Sequence, residues 1–366
     1  MKSLMNGKKG ALQVTTLKDI AEAVGVSIST VSRVINSDVT KHVSEETRSK
    51  IWRAVQELGY APNESARKLV MKKNSATKQP SMQIGFISSW TLYSAEQDPF
   101  FNTIFAGMRK MLEDYGYTFA YVLTFKELRN EVTLHKMLNE HRVDGVILFG
   151  DVNEEDDIVR LIQKHIPAVV GVMSDSPDIQ NINFDHIAAA ETAVNHLIGQ
   201  GHREIGYIGG HGCDGDLESD ERYIGYKLSM QKAGLEIRKE WLVNTKWVVD
   251  RSYSWMLEML ERSQGRQLPT AIFGASDRLA LPAMRAAIER GFRVPQDIAF
   301  IGIDNIELSQ YTSPPLSTIH VPKFELGMTA VKTLIDYMQS DFKPSFQLLM
   351  PYELIVRQSS DYKRNE

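Results

Sequence analysis

Thr16-Leu-Lys-Asp-Ile-Ala-Glu-Ala-Val-Gly-Val-Ser-Ile-Ser-Thr-Val-Ser-Arg-Val-Ile-Asn36 decides how the N-terminal part of this chain folds. Leu17, Ile20, Ala21 and Val24 recur at i, i+3, i+4 and i+7, one apolar face of a short helix. Thr16 is placed to cap it, and Asp19, three residues on, to close a capping box. Gly25 breaks the helix, and Ser27 can cap a second one running to about Asn36. There Val31, Val34 and Ile35 point inward, which leaves Ile28, Ser29, Ser32 and Arg33 on the outer face. A third helix is expected after Ser44, burying Ile51, Val55 and Leu58 and stopping at Gly59. Three such helices make a helix-turn-helix unit whose second helix can enter the DNA major groove.

Charge separates this reading from a plain protein-docking bundle. Residues 1–80 carry 14 Lys and Arg against 7 Asp and Glu, a net of +7, so a chain of net −4 leaves −11 on the rest. A basic head on an acidic body fits a head that meets phosphate and a body that does not.

The same residues resemble the head of the lactose/galactose repressor (LacI/GalR) family. So do Val43-Ser-Glu-Glu-Thr-Arg48 and Glu57-Leu-Gly-Tyr-Ala-Pro-Asn63, and the likeness runs through the body almost to the C-terminus. Head and resemblance together give Thr16, Ser27, Ile28, Ser29, Thr30, Ser32, Arg33 and Asn36 as candidate DNA contacts. Arg33 suits a guanine edge or a phosphate, Ile28 a thymine methyl, and Ser29 a base or the backbone.

Between Tyr60 and Gln83 the composition changes. Pro62-Asn63 can start a short helix with Ala66, Leu69 and Val70 along one edge, among Arg67, Lys68, Lys72 and Lys73. Lys72 to Pro80 then reads as a polar linker. A helix shorter than ~12–15 residues is marginal in water, so this one should order only against a partner. The resemblance implies that the partner is DNA plus the twin segment of a second subunit. It places Leu69 as a wedge in a minor-groove step, with Asn63, Ala66 and Arg67 beside it. A plain basic linker is the alternative. The expected organisation is a disordered lead-in (1–13), a helix-turn-helix domain (14–61), a hinge helix with linker (62–81) and an effector-binding, dimerising body (82–366).

Length bounds the rest. At 366 residues the chain calls for two or three domains, and 43% hydrophobic with 24% charged residues is ordinary for globular proteins. No apolar run approaches a membrane span, and the first dozen residues lack the apolar core of a secretory signal. The single cysteine, Cys213, excludes an internal disulfide and a multi-cysteine zinc site. A cytoplasmic location is expected.

From Met82 onward, apolar runs alternate with helical stretches. Ile84–Ile87, Phe119–Leu123, Gly145–Phe149, Ala168–Val172, Ile205–Ile208, Ala271–Phe273 and Ile298–Ile303 read as buried strands. Phe100–Tyr115, Ile187–Gln200, Tyr223–Ala233 and Leu279–Arg290 read as helices. Alternation of this kind implies parallel sheets covered by helices on both faces. About ten strands exceed one tidy sheet, so two α/β lobes with a ligand cleft between them are expected. The resemblance agrees, since the family's body is similar to periplasmic sugar-binding proteins.

A polyol ligand needs paired donors and acceptors and an aromatic face. Arg222, in Glu221-Arg-Tyr-Ile-Gly-Tyr226, and Asp277, in Ala275-Ser-Asp-Arg278, both follow strands. The resemblance places them at the family's effector-binding arginine and aspartate, and Trp247 near its ligand-stacking aromatic. Phe100 and Phe101, after Asp98-Pro99, stand where relatives line the cleft mouth. Asp185 and Asp304 are weaker candidates, each open to a helix N-cap explanation. Gly210-His-Gly-Cys-Asp-Gly215 satisfies a dinucleotide-binding pattern, but Asp214, Asp216, Glu218 and Asp220 would repel a pyrophosphate; a loop at the cleft rim is the better reading. No nucleophile elbow, zinc-binding histidine motif or phosphate loop occurs, and His141, His165 and His202 are scattered.

The expectation is a ligand-responsive transcriptional regulator without cofactor or metal, not an enzyme. It would repress sugar-utilisation genes as a homodimer and leave its operator when a small sugar binds, with a galactoside as one candidate. The dimer follows from two-fold operator symmetry and from a C-terminal tail without leucine heptads. A co-repressor-dependent regulator of the same fold, or a sugar-binding protein with no DNA role, are the alternatives.

Overall fold

In the computed structural model, Thr16 and Asp19 form the capping box reciprocally. Asp19 Oδ2 accepts from Thr16 N at 2.7 Å, and Thr16 Oγ1 accepts from Asp19 N at 3.4 Å. The first helix, α1 (Leu17–Val24), ends at Gly25, whose φ of +73° is open to glycine at no steric cost. Ser27 Oγ then accepts from Thr30 N at the start of α2 (Ile28–Ile35), and Ser44 Oγ from Thr47 N at the start of α3 (Glu45–Glu57). Ile20, Ala21, Val31, Val34, Ile51 and Ala54 make the small core between them. Leu58 departs from the sequence expectation: it lies just past the helix and is 40% exposed, while Ala54 takes the inward position.

The structure describes residues 16–35, 43–58, 80–90, 98–139, 142–150, 152, 156–166, 168–174, 176–210, 216–262, 267–340 and 344–362. It divides into two units, Met1–Gln79 and Pro80–Glu366. The lead-in, Asn36, the hinge candidates Asn63, Ala66, Arg67 and Leu69, and residues 211–215 of the glycine-rich loop lie outside the described residues.

Among the described residues, the body holds two six-stranded sheets. The first runs β11-β5-β4-β3-β1-β2, from β1 (Gln83–Ser88), β2 (Thr118–Thr124), β3 (Gly145–Phe149), β4 (Val169–Val172), β5 (Gln180–Phe184) and β11 (Gln347–Met350), all parallel. The second runs β12-β10-β9-β8-β6-β7, from β6 (Ile205–Gly209), β7 (Leu242–Asn244), β8 (Ala271–Gly274), β9 (Ala299–Asp304), β10 (Ser317–His320) and β12 (Glu353–Ile355). Its only antiparallel pair among the described residues is β10 with β12, at an edge. Chain order and sheet membership make the chain change lobe three times: after β5, after β10 and between β11 and β12.

Helices cover the sheets as the alternating pattern requires. In the first lobe the Lys323–Gln339 helix lies on the Pro99–Asp114 helix, and the two approach through glycines. A side chain at Gly107 would strike the Phe324 carbonyl, and one at Gly327 the Ile104 carbonyl. In the second lobe the His186–Gly199 helix packs on Glu221–Lys232, and Val249–Arg262 on Asp277–Glu289. The carboxyl ends of both sheets therefore carry the turns that approach each other between the lobes.

Candidate functional site

On α2 of the head, Ile28 is 49% exposed, Ser29 is exposed, and Thr30, Ser32 and Arg33 are half-buried. Ser27 Oγ lies 2.8 Å from both Ser29 Oγ and Thr30 Oγ1, so one cap residue orients the first turn of the outer face. The hydroxyl of Thr16 is committed to Asp19 at 2.8 Å, so its first role is to hold α1 in shape. A short helix with an exposed isoleucine, a serine and an arginine along one edge offers one apolar and several polar contacts to a groove.

In the body, the Asp98 and Arg278 side chains meet across the lobes, with Arg278 Nη1 donating to Asp98 Oδ2 at 2.8 Å. Asp98 spends its other oxygen capping the Pro99–Asp114 helix, at 2.9 Å from Phe100 N. Beside it, at the carboxyl ends of β1 and β3, Trp90, Phe101 and Phe149 make an aromatic corner. Trp90 sits 5.3 Å from the Phe149 ring, and Phe101 sits 4.7 Å from it, edge to face. Trp90 is 40% exposed while Phe101 is buried, so the exposed face of the corner belongs to the tryptophan.

The second lobe brings up Arg222 and Trp247. The Arg222 guanidinium stands 5.3 Å from the Trp247 ring centroid, within cation–π range, and Trp247 is held there by left-handed backbone at Lys246 (φ +52°) and Trp247 (φ +59°). Arg222 Nε is buried without a hydrogen-bond partner. Asp304, the last residue of β9, is buried at φ +113°, a strained value for a residue with a side chain. Lys323 Nζ clamps this turn by donating to the carbonyls of Asp304, Asn305 and Val321. Burial pushes the Asp304 carboxyl well above the usual range, helped by the negative charge of Asp277 and opposed by Arg222 and Lys323.

Three of the predicted effector residues take other roles. Asp277 is wholly buried within the second lobe: its carboxylate accepts from Thr318 Oγ1 at 2.6 Å, Ser309 Oγ at 2.6 Å and Ile306 N at 3.0 Å. Burial raises its pKa to about 6 against these hydrogen bonds. Asp185 is the exposed N-cap of the His186–Gly199 helix, at 2.8 Å from Ala188 N. Phe100 is core packing. The geometry brings together Arg222, Trp247 and Asp304, with Phe101 behind Trp90. A strand-end rule applied to Ser88-Ser-Trp90 would have flagged Trp90; nothing in the sequence signals that Asp304 is strained. Among the described residues no group of three or more acidic, histidine or cysteine side chains could hold a metal ion, and no helix is long and apolar enough to cross a membrane.

Comparison with known proteins decides between a regulator and a sugar carrier. Residues 16–63 match the bacterial regulatory proteins of the lacI family, and residues 194–360 a periplasmic binding protein-like domain. The HTH-type transcriptional repressor PurR of Actinobacillus pleuropneumoniae serotype 3 (strain JL03) is 34% identical over 350 residues, covering 94% of this chain and 98% of its own. This chain belongs to the LacI family. PurR of Glaesserella parasuis serovar 5 (strain SH0165) is 32% identical over 353 residues, covering 94% of this chain and 98% of its own. Among solved structures, the Lac repressor dimer bound to operator and the anti-inducer ONPF is 28% identical with a TM-score of 0.70, covering 95% of this chain and 99% of its own. The cellobiose complex of the transcriptional regulator CelR is 26% identical with a TM-score of 0.66, covering 94% and 99%. As a LacI-family member the chain is a DNA-binding transcriptional repressor, and not an enzyme. The helix-turn-helix head and the two-lobed parallel body are that family's architecture.

Proposed function

We propose that this LacI-family repressor works in the cytoplasm as a homodimer, and that a small sugar entering between the lobes of its body releases it from operator DNA. The observation that carries the effector site is the buried, unpartnered Arg222 Nε on a guanidinium 5.3 Å from the Trp247 ring centroid. A guanidinium that lacks a carboxylate and stacks on an aromatic offers donors and a C–H-binding face to one small molecule. Asp304 supplies the acidic group of this site. Arg222, Trp247 and Phe101 belong to this proposed site.

The CelR–cellobiose complex supports a sugar. The curated relatives bear the name PurR and lend the sugar no support, so purine bases belong in the test. Two α2 helices of a two-fold dimer would read the half-sites through Ser27, Ile28, Ser29, Thr30, Ser32 and Arg33, and the Leu69 segment would wedge the minor groove between them. Coupling between cleft and head of about 1–3 kcal/mol would weaken operator binding roughly 5–150-fold.

Fluorescence anisotropy on a labelled pseudo-palindrome from beside the gene, with neutral sugars and purine bases added singly, tests this. Tight binding released by a sugar is expected. Binding that a ligand tightens would replace release by co-repression, response to a purine alone would overturn the sugar, and no DNA binding would overturn the operator.

A further inference from the structure

His186 is the first residue of the helix that enters the second lobe, immediately after the chain leaves β5. Its ring lies 3.9 Å from that of Phe184 and is more than nine-tenths buried. Its Nε2 stands 3.1 Å from Asn183 Oδ1, an oxygen that also accepts from Phe184 N at 2.9 Å. A carbonyl oxygen only accepts, so Nε2 carries the ring proton and Nδ1 keeps a bare lone pair. Nδ1 is buried and makes no hydrogen bond.

Arg222 Nε, whose charge acts on His186, is likewise buried without a hydrogen bond, whereas the Asp220 carboxylate and the Tyr207 hydroxyl interact with each other. Asp220 gives its first oxygen to the cap of the Glu221–Lys232 helix, at 2.9 Å from Arg222 N. Tyr207 points along its strand, where a side chain at Gly209 would strike its hydroxyl. Arg222 lies within electrostatic reach of both His186 and Tyr207, and Asp220 within reach of Tyr207. The Arg222 charge adds to burial in holding His186 well below its ordinary pKa, and the Asp220 charge adds to burial in raising Tyr207. His186 is therefore neutral at physiological pH and stays an acceptor. Buried polar groups left unpaired are costly, so His186 Nδ1 and Arg222 Nε point to a ligand that pairs them.

We infer that His186 contacts the effector: its Nδ1 accepts from an effector hydroxyl that itself accepts from Arg222 Nε, and the pair selects neutral hydroxyl-bearing ligands over anionic ones. This rests on the effector cleft proposed above. One hydroxyl both donates and accepts, and so satisfies the two atoms at once. A phosphate dianion or carboxylate could accept from Arg222, but it has no proton for His186.

Calorimetric titration of the full-length protein tests it, with galactose, cellobiose, glucose 6-phosphate, gluconate and guanine as probes. A neutral sugar should bind wild type most tightly. His186→Leu should weaken it about tenfold or more, and His186→Gln, whose amide oxygen still accepts, by less. Deoxy analogues of the bound sugar should include one that loses affinity for wild type and loses no further affinity for the variants. Should His186→Leu show no melting transition, the Gln variant with the deoxy series decides alone. Unchanged affinity in the variants while wild type binds a probe would remove His186 and leave the cleft standing. Tightest binding of the phosphate, the carboxylate or the purine would overturn the selectivity. No probe binding wild type would overturn the cleft, and this inference with it.

Discussion

Asp277 illustrates how one residue type at one motif position can have two meanings. After a strand and before a helix, an aspartate can cap, bind a ligand or brace its own lobe; here Thr318, Ser309 and the Ile306 amide use its oxygens for bracing. Its folded pKa of about 6 exceeds the ordinary 3.8, so between these values the folded state binds more protons than the unfolded. Stability from this group is thus greatest below about pH 4, falls as pH rises to about 6, and is flat above. Urea midpoints measured across that interval should decline more steeply for wild type than for Asp277→Asn. Parallel curves would mean that Asp277 is not raised by burial. Arg222 and Trp247 are named from the sequence through the family resemblance, the tryptophan only as lying near the family's stacking aromatic. The sequence could not show that Asp277 turns inward, because that depends on Ser309 and Thr318, more than thirty positions away.

At the scale of elements, the seven strands read from valine- and isoleucine-rich runs are all present, within a residue or two of the expected ends. β5, β7, β10, β11 and β12 are missing from the strands read in the sequence; β7, β11 and β12 are short, and β5 and β10 are polar. Gln180-Asn-Ile-Asn-Phe184 is fully buried yet mostly polar, because Asn183 and Asn181 hydrogen-bond neighbouring groups. Ser317 and Thr318 of β10 likewise spend their hydroxyls on the Arg357 carbonyl and Asp277. Hydropathy does not register a polar side chain satisfied inside a sheet. Helix contacts give a sharper prediction: Gly327→Ala should cost about 1–3 kcal/mol by driving a methyl into the Ile104 carbonyl, read as a lowered urea midpoint. The Asp98–Arg278 pair joins two helix N-termini, one of which would otherwise repel the arginine. Partly exposed, it adds only about 0–1 kcal/mol to folding. Because it spans the lobes, its loss bears on the effector cleft proposed above. Arg278→Ala should weaken effector binding severalfold with little loss of stability, whereas Asp98→Ala should also lose about 1 kcal/mol with the cap. Effector affinity equal to wild type in both would leave the cleft independent of the pair.

For the molecule as a whole, the decisive property is uneven charge, +7 on residues 1–80 against −11 beyond. A body of that net sign repels a duplex on balance, so the ionic part of DNA affinity is expected from the basic head and the segment after it. Counterion release makes log K fall with log salt by about 0.9 per neutralised phosphate on duplex DNA. Arg33→Ala should therefore lower the slope by about one unit if Arg33 meets a phosphate. If it reads a guanine edge instead, the slope should hold while discrimination at one base pair is lost. Leu69 carries no charge, and Leu69→Ala should leave the slope unchanged. A wedge acts only where the step beneath it can be opened, so this substitution should weaken binding to the operator far more than to a random duplex of equal length. Anisotropy titrations of both duplexes at several salt concentrations separate the cases. Equal losses on the two duplexes, at an unchanged slope, would leave the segment around Leu69 as a basic tether without a wedge, and the cleft would need another route to the head.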